Sequence, residues 1–342
     1  MAKVGLKDIA AQTGFSIATV SHALRNPDRV ADATRKKVLA AAEAAGYTPN
    51  NLAVSLRTAR SGNIVVIIPD IADSHNSNII KAIEKVARER GYSVLLGDSQ
   101  GSEKREREFA RMARTRQADG VILMSHRLPF DRKPGEPVSK LPPIVNGCEY
   151  TGHDDLPQIG IDDYQAGLDA TRHLLDYGHR QIAVITGDIE THSTRERLRG
   201  FNDAMTAAGV TVNDDHVIQL GYTLEDGIAG AQQLMALPSR PSAIFCFSDE
   251  IAFGAMYALR EMGIDVPGDV SIIGCDNIPL ARYFSPPLTT IAQPTAEIGA
   301  ACATLLLDII DGNPPTEPRV VVPHELKIRE STRRLDASAA NR

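Results

Sequence analysis

No apolar run in this 342-residue sequence approaches the length a bilayer demands, and its start lacks the charged stretch, hydrophobic core and cleavage site of an export signal. Such a chain is expected in the cytoplasm. Cysteine is scarce: Cys148, Cys246, Cys275 and Cys302 are widely spaced, form no CxxC and have no histidine pair at metal-binding spacing. They read as reduced core residues, and neither a metal nor any other cofactor is expected. Also missing are a GxGxxG fingerprint, a GxxxxGK[ST] phosphate loop and a GxSxG elbow. The acidic pairs Asp154 and Asp155, Asp162 and Asp163, and Asp214 and Asp215 fall in turns or at strand ends, where capping is their common task. These gaps together argue against an enzyme. The closing SAANR is polar and carries no leucine heptads, so residues 333–342 are expected to be a tail rather than an oligomerising helix. The remainder is an ordinary globular composition, 43% hydrophobic and 23% charged, sufficient for one small and two medium domains.

Charge is distributed unevenly. Residues 1–60 carry nine Lys and Arg against four Asp and Glu, while the other 282 carry 28 against 39. A phosphate backbone attracts the first part and repels the second. Within the basic part, residues 6–26 (LKDIAAQTGFSIATVSHALRN) read as two short amphipathic helices joined by a turn at Gly14, the pattern of a helix-turn-helix. Ile9 and Ala10 face a core, and Val20 and Leu24 repeat at i, i+4. Ser16 suits an N-cap and Gly14 a left-handed turn. The outward face of the second helix is then Ile17, Ala18, Ser21, His22 and Arg25, which implies a sequence-reading DNA binder. A third helix, Asp32 to Ala45, is expected to turn Val38, Leu39, Ala42 and Ala45 to the same small core.

Beyond it, YTPNNLAVSLRTARSG can form one short helix, capped by Asn50 or Asn51, with Leu52 and Leu56 at i, i+4. Fewer than about 12 helical residues are unstable alone in water, so a partner must order this segment. DNA, together with the same segment of a second subunit, could do so. From Asn63 the pattern changes to apolar runs alternating with helical stretches: 64–70, 93–96, 121–124, 143–146 and 159–162, then 183–186, 243–247 and 270–274. This alternation specifies two lobes, each a parallel sheet covered by helices, with polar residues at the strand ends. Two such lobes facing each other form a clamshell around a small molecule. The fold class is therefore an all-α helix-turn-helix domain followed by an α/β body of two doubly wound parallel-sheet lobes.

Residues 8–24 (DIAAQTGFSIATVSHAL), the TRKKV helix and the YTPN linker resemble the DNA-binding head of the LacI/GalR family of bacterial repressors. The body resembles the same family through GIDDYQAG at 160–167, HLLDYGHRQIAVITG at 173–187, RLRGF at 197–201, SDEIAFGA at 248–255 and CDNIPLARYFSPPLTTIAQP at 275–294. The resemblance implies a homodimeric transcriptional regulator, reading a pseudo-palindromic operator and controlled by a small molecule. It also implies the domain plan: a head at 1–48, a hinge at 49–61, and a periplasmic-binding-protein-like effector and dimerisation body at 62–332. The N-lobe would comprise about 62–162 and 292–323, the C-lobe about 163–291 and 324–332.

Carried over residue by residue, Ile17, Ala18 and His22 match base-reading positions, with Thr19, Ser21 and Arg25 on phosphates. Leu56 matches the leucine that wedges into the minor groove, and Ala53 is small enough for two hinge helices to approach; Asn50, one of the two candidate caps of that helix, is placed with them on the DNA. His75, Asn76, Thr191, Ser193, Arg197, Tyr222 and Asp276 match effector-binding positions. Arg197 and Asp276 suit a sugar diol, and Tyr222 offers a ring face. The body is most similar to the cytidine-responsive branch through HRLPFD at 126–131, LLLD at 305–308 and PPLTTIAQP, which implies a nucleoside effector. His75 and Asn76 stand where nucleoside-type relatives show two phenylalanines, so a free sugar is the alternative. A two-lobed sugar-binding transport protein shares the body, but would need an export signal and no DNA-reading head.

Overall fold

A computed structural model describes residues 4–25, 29–47 and 60–335, and the chain divides into two compact units, 1–60 and 61–342. In the first, α1 (Leu6–Thr13), α2 (Ile17–Arg25) and α3 (Asp32–Ala44) pack on one another. Ile9, Ala10, Val20, Ala23, Val38 and Ala42 are their buried core. Gly14 closes α1 at φ 75°, a value that costs glycine little, and its N–H reaches the Ala10 carbonyl at 2.9 Å. Ser16 caps α2, its hydroxyl accepting the Thr19 N–H at 3.0 Å. Two expectations change. Leu24 is only partly buried, and Leu39 is 42% exposed. One residue on from Val38 turns the helix by 100°, which carries Leu39 off the buried stripe. The proposed hinge residues Asn50, Ala53 and Leu56 lie outside the described residues.

The second unit holds two six-stranded sheets. The first is made of β1 (Asn63–Ile68), β2 (Ser93–Asp98), β3 (Gly120–Leu123), β4 (Ile144–Gly147), β5 (Gln158–Gly160) and β11 (Arg319–Val321). Its spatial order is β11-β5-β4-β3-β1-β2, all parallel. The second comprises β6 (Ile182–Thr186), β7 (Val217–Gln219), β8 (Ala243–Cys246), β9 (Ser271–Asp276), β10 (Thr289–Ala292) and β12 (Glu325–Lys327), ordered β12-β10-β9-β8-β6-β7. Here only β12 is antiparallel. Helices cover both sheets, so the central strands read as continuous apolar runs; Ile64 to Ile68 are all buried.

In the first lobe, α4 (Ser74–Glu89) follows β1 and α5 (Glu103–Arg114) follows β2. The second carries α6 (Asp163–Asp176), α7 (His192–Ala207), α8 (Leu224–Ala236) and α9 (Asp249–Glu261). The chain then returns, so that α10 (Thr295–Ile310) packs on α4. The chain thus passes between sheets three times, after β5, β10 and β11. Strands β7, β10, β11 and β12 have no counterpart in the runs read from sequence, because three or four residues of mixed polarity show no period.

Candidate functional site

Nine strands, drawn from both sheets, end at one cavity of about 600 Å³. Its place follows from topology: β1 lies between β2 and β3, and β6 between β7 and β8, so successive connections part on either side and leave a crevice. His75 and Asn76, in the first turn of α4, line it from one lobe. Thr191, Ser193 and Arg197 around the start of α7, Tyr222 after β7 and Asp276 at the end of β9 line it from the other. All seven positions singled out in the sequence thus share one cavity.

Arg197 is set there by helix packing. A Cβ on Gly167 of α6 would lie 2.2 Å from the Arg197 carbonyl oxygen, and one on Gly200 of α7 would lie 2.2 Å from that of Tyr164. The two helices therefore meet backbone to backbone, which brings Asp163 beside Arg197. Nε donates to Asp163 Oδ1 at 2.9 Å, Nη2 lies 2.8 Å from the same oxygen, and Nη1 donates to the Phe247 carbonyl at 2.6 Å. A guanidinium has five N–H groups, so two remain for a ligand.

Asp276 holds φ 129°, beside Asn277 at 57°; Cys148 across the cleft holds 65°. Strained backbone of this kind concentrates at functional sites. The Asp276 carboxylate accepts from Gln293 Nε2 at 2.7 Å and from the Asp249 N–H at 3.4 Å. Asp249 in turn accepts the Ile278 N–H and the Thr290 hydroxyl. Burial pushes both carboxyls up; the charge of Asp276 adds to this at Asp249, while Arg197 pulls Asp276 back. His75 crosses from the other lobe, its Nδ1 3.6 Å from Asp276 Oδ1, too long for a hydrogen bond. That nitrogen is buried without a partner among the described residues, and burial pushes the imidazole down, towards its neutral form.

The remaining positions are more committed. Asn76 spends its amide donors on the Asp70 carbonyl (3.2 Å) and Asp73 Oδ2 (3.0 Å). Thr191 caps α7. Tyr222 donates to or accepts from the Thr194 hydroxyl at 2.6 Å, and its ring packs against Gly187, where a Cβ would meet it at 1.9 Å. Ser193 donates its hydroxyl to Glu149, whose other oxygen accepts the Ser193 N–H at 3.3 Å. Burial pushes Glu149 up to about 7, against the pull of those hydrogen bonds.

Glu149, Asp163 and Gln293 are not among the effector positions expected from the sequence, nor are Ser125, His126 and Arg127 beyond β3. The signal available was position: Glu149 and His126 follow directly on the apolar runs ending at Asn146 and Met124. Cys148 needs correction, since it lines the cavity with Sγ 3.9 Å from His75 Nε2 rather than sitting in the core; a left-handed turn out of β4 carries it there. Asp163 also departs from a capping role. Asp162 caps α6 through the Gln165 N–H, leaving Asp163 for Arg197.

On the separate head, Ile17 is 45% exposed, Ala18 is exposed, and Ser21 and His22 are partly so. Thr19 is held in the cap, its hydroxyl 2.8 Å from that of Ser16, and Arg25 is the last residue of α2.

A three-helix reader on a two-lobed body with a polar cleft defines a DNA-binding transcriptional regulator with an effector-binding domain. Residues 5–50 match the bacterial regulatory proteins of the lacI family, and 171–332 a periplasmic binding protein-like domain. The chain belongs to the LacI family. It is 41% identical over 330 residues to the HTH-type transcriptional repressor CytR of Escherichia coli (strain K12), with 96% of each chain covered. The repressor PurR of Photobacterium profundum is 34% identical over 338 residues, 97% of this chain and 99% of that one. Among solved structures, the lac repressor dimer bound to operator and the anti-inducer ONPF superposes with a TM-score of 0.82 at 25% identity, covering 96% of this chain and 99% of that one. These relatives are regulators, not enzymes.

Proposed function

We propose that this chain acts as a homodimer in the cytoplasm, binding a pseudo-palindromic operator through residues 1–48 and a hinge at 49–61, with its affinity for DNA set by a nucleoside in the cleft of the 62–332 body. The single observation that carries the effector half is the convergence of His75, Asn76, Thr191, Ser193, Arg197, Tyr222 and Asp276 on one cavity of about 600 Å³. That volume lies within the range of small-molecule sites. Two spare N–H groups on Arg197 and the carboxylate of Asp276 suit the vicinal hydroxyls of a furanose. On the DNA side, Ile17 and Ala18 offer apolar contact to a thymine methyl, His22 reaches a purine edge, and Thr19, Ser21 and Arg25 hold phosphates. Asn50 starts a hinge helix whose Ala53 allows close pairing and whose Leu56 wedges the minor groove.

Control runs through the lobes. His75 faces Asp276, and Glu149 bonds Ser193, across the cleft. A ligand that replaces or reinforces these contacts changes the relative stability of lobe orientations, and so whether two hinge helices pair on DNA. A coupling of about 1–3 kcal/mol changes DNA affinity roughly five- to 150-fold. A ligand favouring the DNA-compatible orientation is a corepressor; one disfavouring it is an inducer.

The test is calorimetry of the full-length protein against a panel of nucleosides, bases and pentoses, repeated with a palindromic duplex selected from a random pool. Heat from a nucleoside, accompanied by a changed duplex affinity, is the expected result. Heat from a pentose alone would replace the nucleoside with a free sugar. If no duplex is preferred under any condition, the regulator model fails.

A further inference from the structure

Anions in α/β folds are ordinarily held at helix N-termini, where free backbone N–H groups and the helix dipole converge. The cleft of this chain is ringed by such termini, and its own carboxylates already occupy them. Asp73 accepts the His75 N–H at 2.8 Å at the start of α4, and Glu250, from the opposite lobe, lines the same cavity. At the start of α7, Glu149 takes the Ser193 N–H at 3.3 Å. At the start of α9, Asp276 takes the Asp249 N–H at 3.4 Å. At α8, Asp226 accepts the Thr223 N–H at 3.1 Å and the Thr223 hydroxyl at 2.7 Å. The fifth terminus, that of α5, has the fully buried Glu106 in its first turn.

The cations offer no compensation. Eight Asp and Glu side chains line the cavity against two arginines. Both arginines are claimed from within the chain, Arg197 by Asp163 and Arg127 by Glu106 at 3.2 Å. Among the groups open to a ligand are carboxylate oxygens, the buried Nδ1 of His75, two N–H groups of Arg197 and the hydroxyls of Ser125 and Ser248. This set recognises hydroxyls and amines.

We infer that the cleft excludes phosphate esters: Glu149, Asp73 and Asp276 stand where a phosphate would bind, so the effector is an unphosphorylated polyol or nucleoside and not its nucleotide or sugar phosphate. The inference rests on the effector-cleft reading above and narrows it. A phosphate finds the N–H groups that would hold it already occupied, and any of these carboxylates that is ionised repels it, because water screens charges poorly inside a cleft. The same carboxylates accept from the hydroxyls and amino groups of a neutral ligand. A regulator built this way reports the product of dephosphorylation or uptake, and is blind to the phosphorylated pool from which it derives.

Matched pairs test it by calorimetry on the full-length protein: cytidine with its 5′-monophosphate, adenosine with its 5′-monophosphate, ribose with ribose 5-phosphate, and inorganic phosphate alone. Each series is repeated on Glu149→Gln, with Glu250→Gln as the second variant if the first does not fold. The expected result is that the neutral member of any binding pair is preferred by about 100-fold or more, and that the variant narrows this preference about tenfold. A phosphate ester that binds as tightly as its neutral partner, or a preference unchanged in the variant, overturns the inference. If no neutral compound gives heat, the nucleoside reading falls, and inorganic phosphate still decides this one. Phosphate must then bind the variant and not the parent; binding to the parent, or to neither, overturns it.

Discussion

Among the described residues, the head keeps order with six buried hydrophobic side chains from three helices, half of them alanine, and presents to solvent a surface rich in Lys and Arg. The body buries whole strands on both faces and carries an excess of acid. In the head every residue assigned to DNA lies within one helix or its flank, so spacing alone aligns them. In the body, the residues around the cavity come from the ends of nine strands, and no single segment holds the site. The difference separates two ways of building recognition: a surface that one helix presents, and a cavity that a whole topology encloses. Electrostatics follow the same division, since the head is basic and the cleft is lined by more acidic than basic side chains.

Salt should break the comparison most sharply. A protein making six to ten phosphate contacts loses about 10³–10⁵ in DNA affinity between 50 and 200 mM salt. Operator binding should fall on that scale, while heat from a neutral effector in the cleft stays nearly constant. Fluorescence anisotropy with a duplex and calorimetry with the effector, at matched salt, measure both; parallel losses would mean that the cleft also binds by charge.

Asp163→Asn comes next. It leaves Arg197 buried with its main partner uncharged, and breaking a buried ion pair costs about 3–5 kcal/mol. The body's unfolding transition should drop accordingly and effector binding should be lost, while the helical signal of the head persists. Calorimetric scans resolve the two units. An unshifted body transition would show that the pair is dispensable.

The sequence's legibility divides along the same line. Ile9, Ala10, Val20 and Val38 announced the head because helical periodicity is local, and Ser16 and Gly14 announced its turn. The cleft was half legible. His75, Arg197 and Asp276 could be placed through family motifs, but Asp163 looked like one of a capping pair. Only the packing of Gly167 and Gly200 shows that Asp162 caps and its neighbour goes inward. Glu149 was hidden for a related reason. Its partner Ser193 lies 44 positions away and in the other lobe, a distance over which neither period nor propensity carries information. Leu39, exposed where the helical stripe put it inside, shows that even a local pattern leaves its boundary residues to packing.

The pH response of the body should isolate Glu149. Its carboxyl is pushed up to about 7 from an ordinary value of 4.5. The folded state therefore binds a proton more readily than the unfolded chain, and stability falls as pH rises from about 4.5 to 7. Glu149→Gln should remove that residue's share of the slope, at most about 3 kcal/mol across the window, and leave the share of Asp249 and Asp276. Thermal melts of both chains from pH 4.5 to 7.5 measure it. An identical slope would assign the effect to the Asp249 and Asp276 pair.

In the head, Val20→Ala removes a fully buried side chain from a core with few others. The expected cost is about 2 kcal/mol. In so small a unit each kcal/mol moves the midpoint by about 4–8 °C. DNA binding should weaken as the head melts, with effector heat unchanged at the same temperature. A matching loss of effector affinity would contradict the independence of the two units.

The smallest effect tests the finest distinction, between residues that choose a sequence and residues that merely hold DNA. His22 is partly exposed on α2, one position from Ser21, and the two are assigned different tasks. An imidazole can donate or accept at a purine edge, and a single such contact lies at the low end of the roughly 1–3 kcal/mol that a good base contact contributes to discrimination. His22→Ala should therefore cost about 1 kcal/mol on the preferred duplex and much less on others, flattening preference at one symmetric pair of operator positions. Ser21→Ala should instead weaken all duplexes alike, because a phosphate contact carries no base information. Selection from a randomised duplex pool with each variant separates the two patterns. If His22→Ala weakens every duplex equally and leaves the selected sequence unchanged, the histidine belongs with the phosphate contacts, and the reading surface of the head shrinks to Ile17 and Ala18.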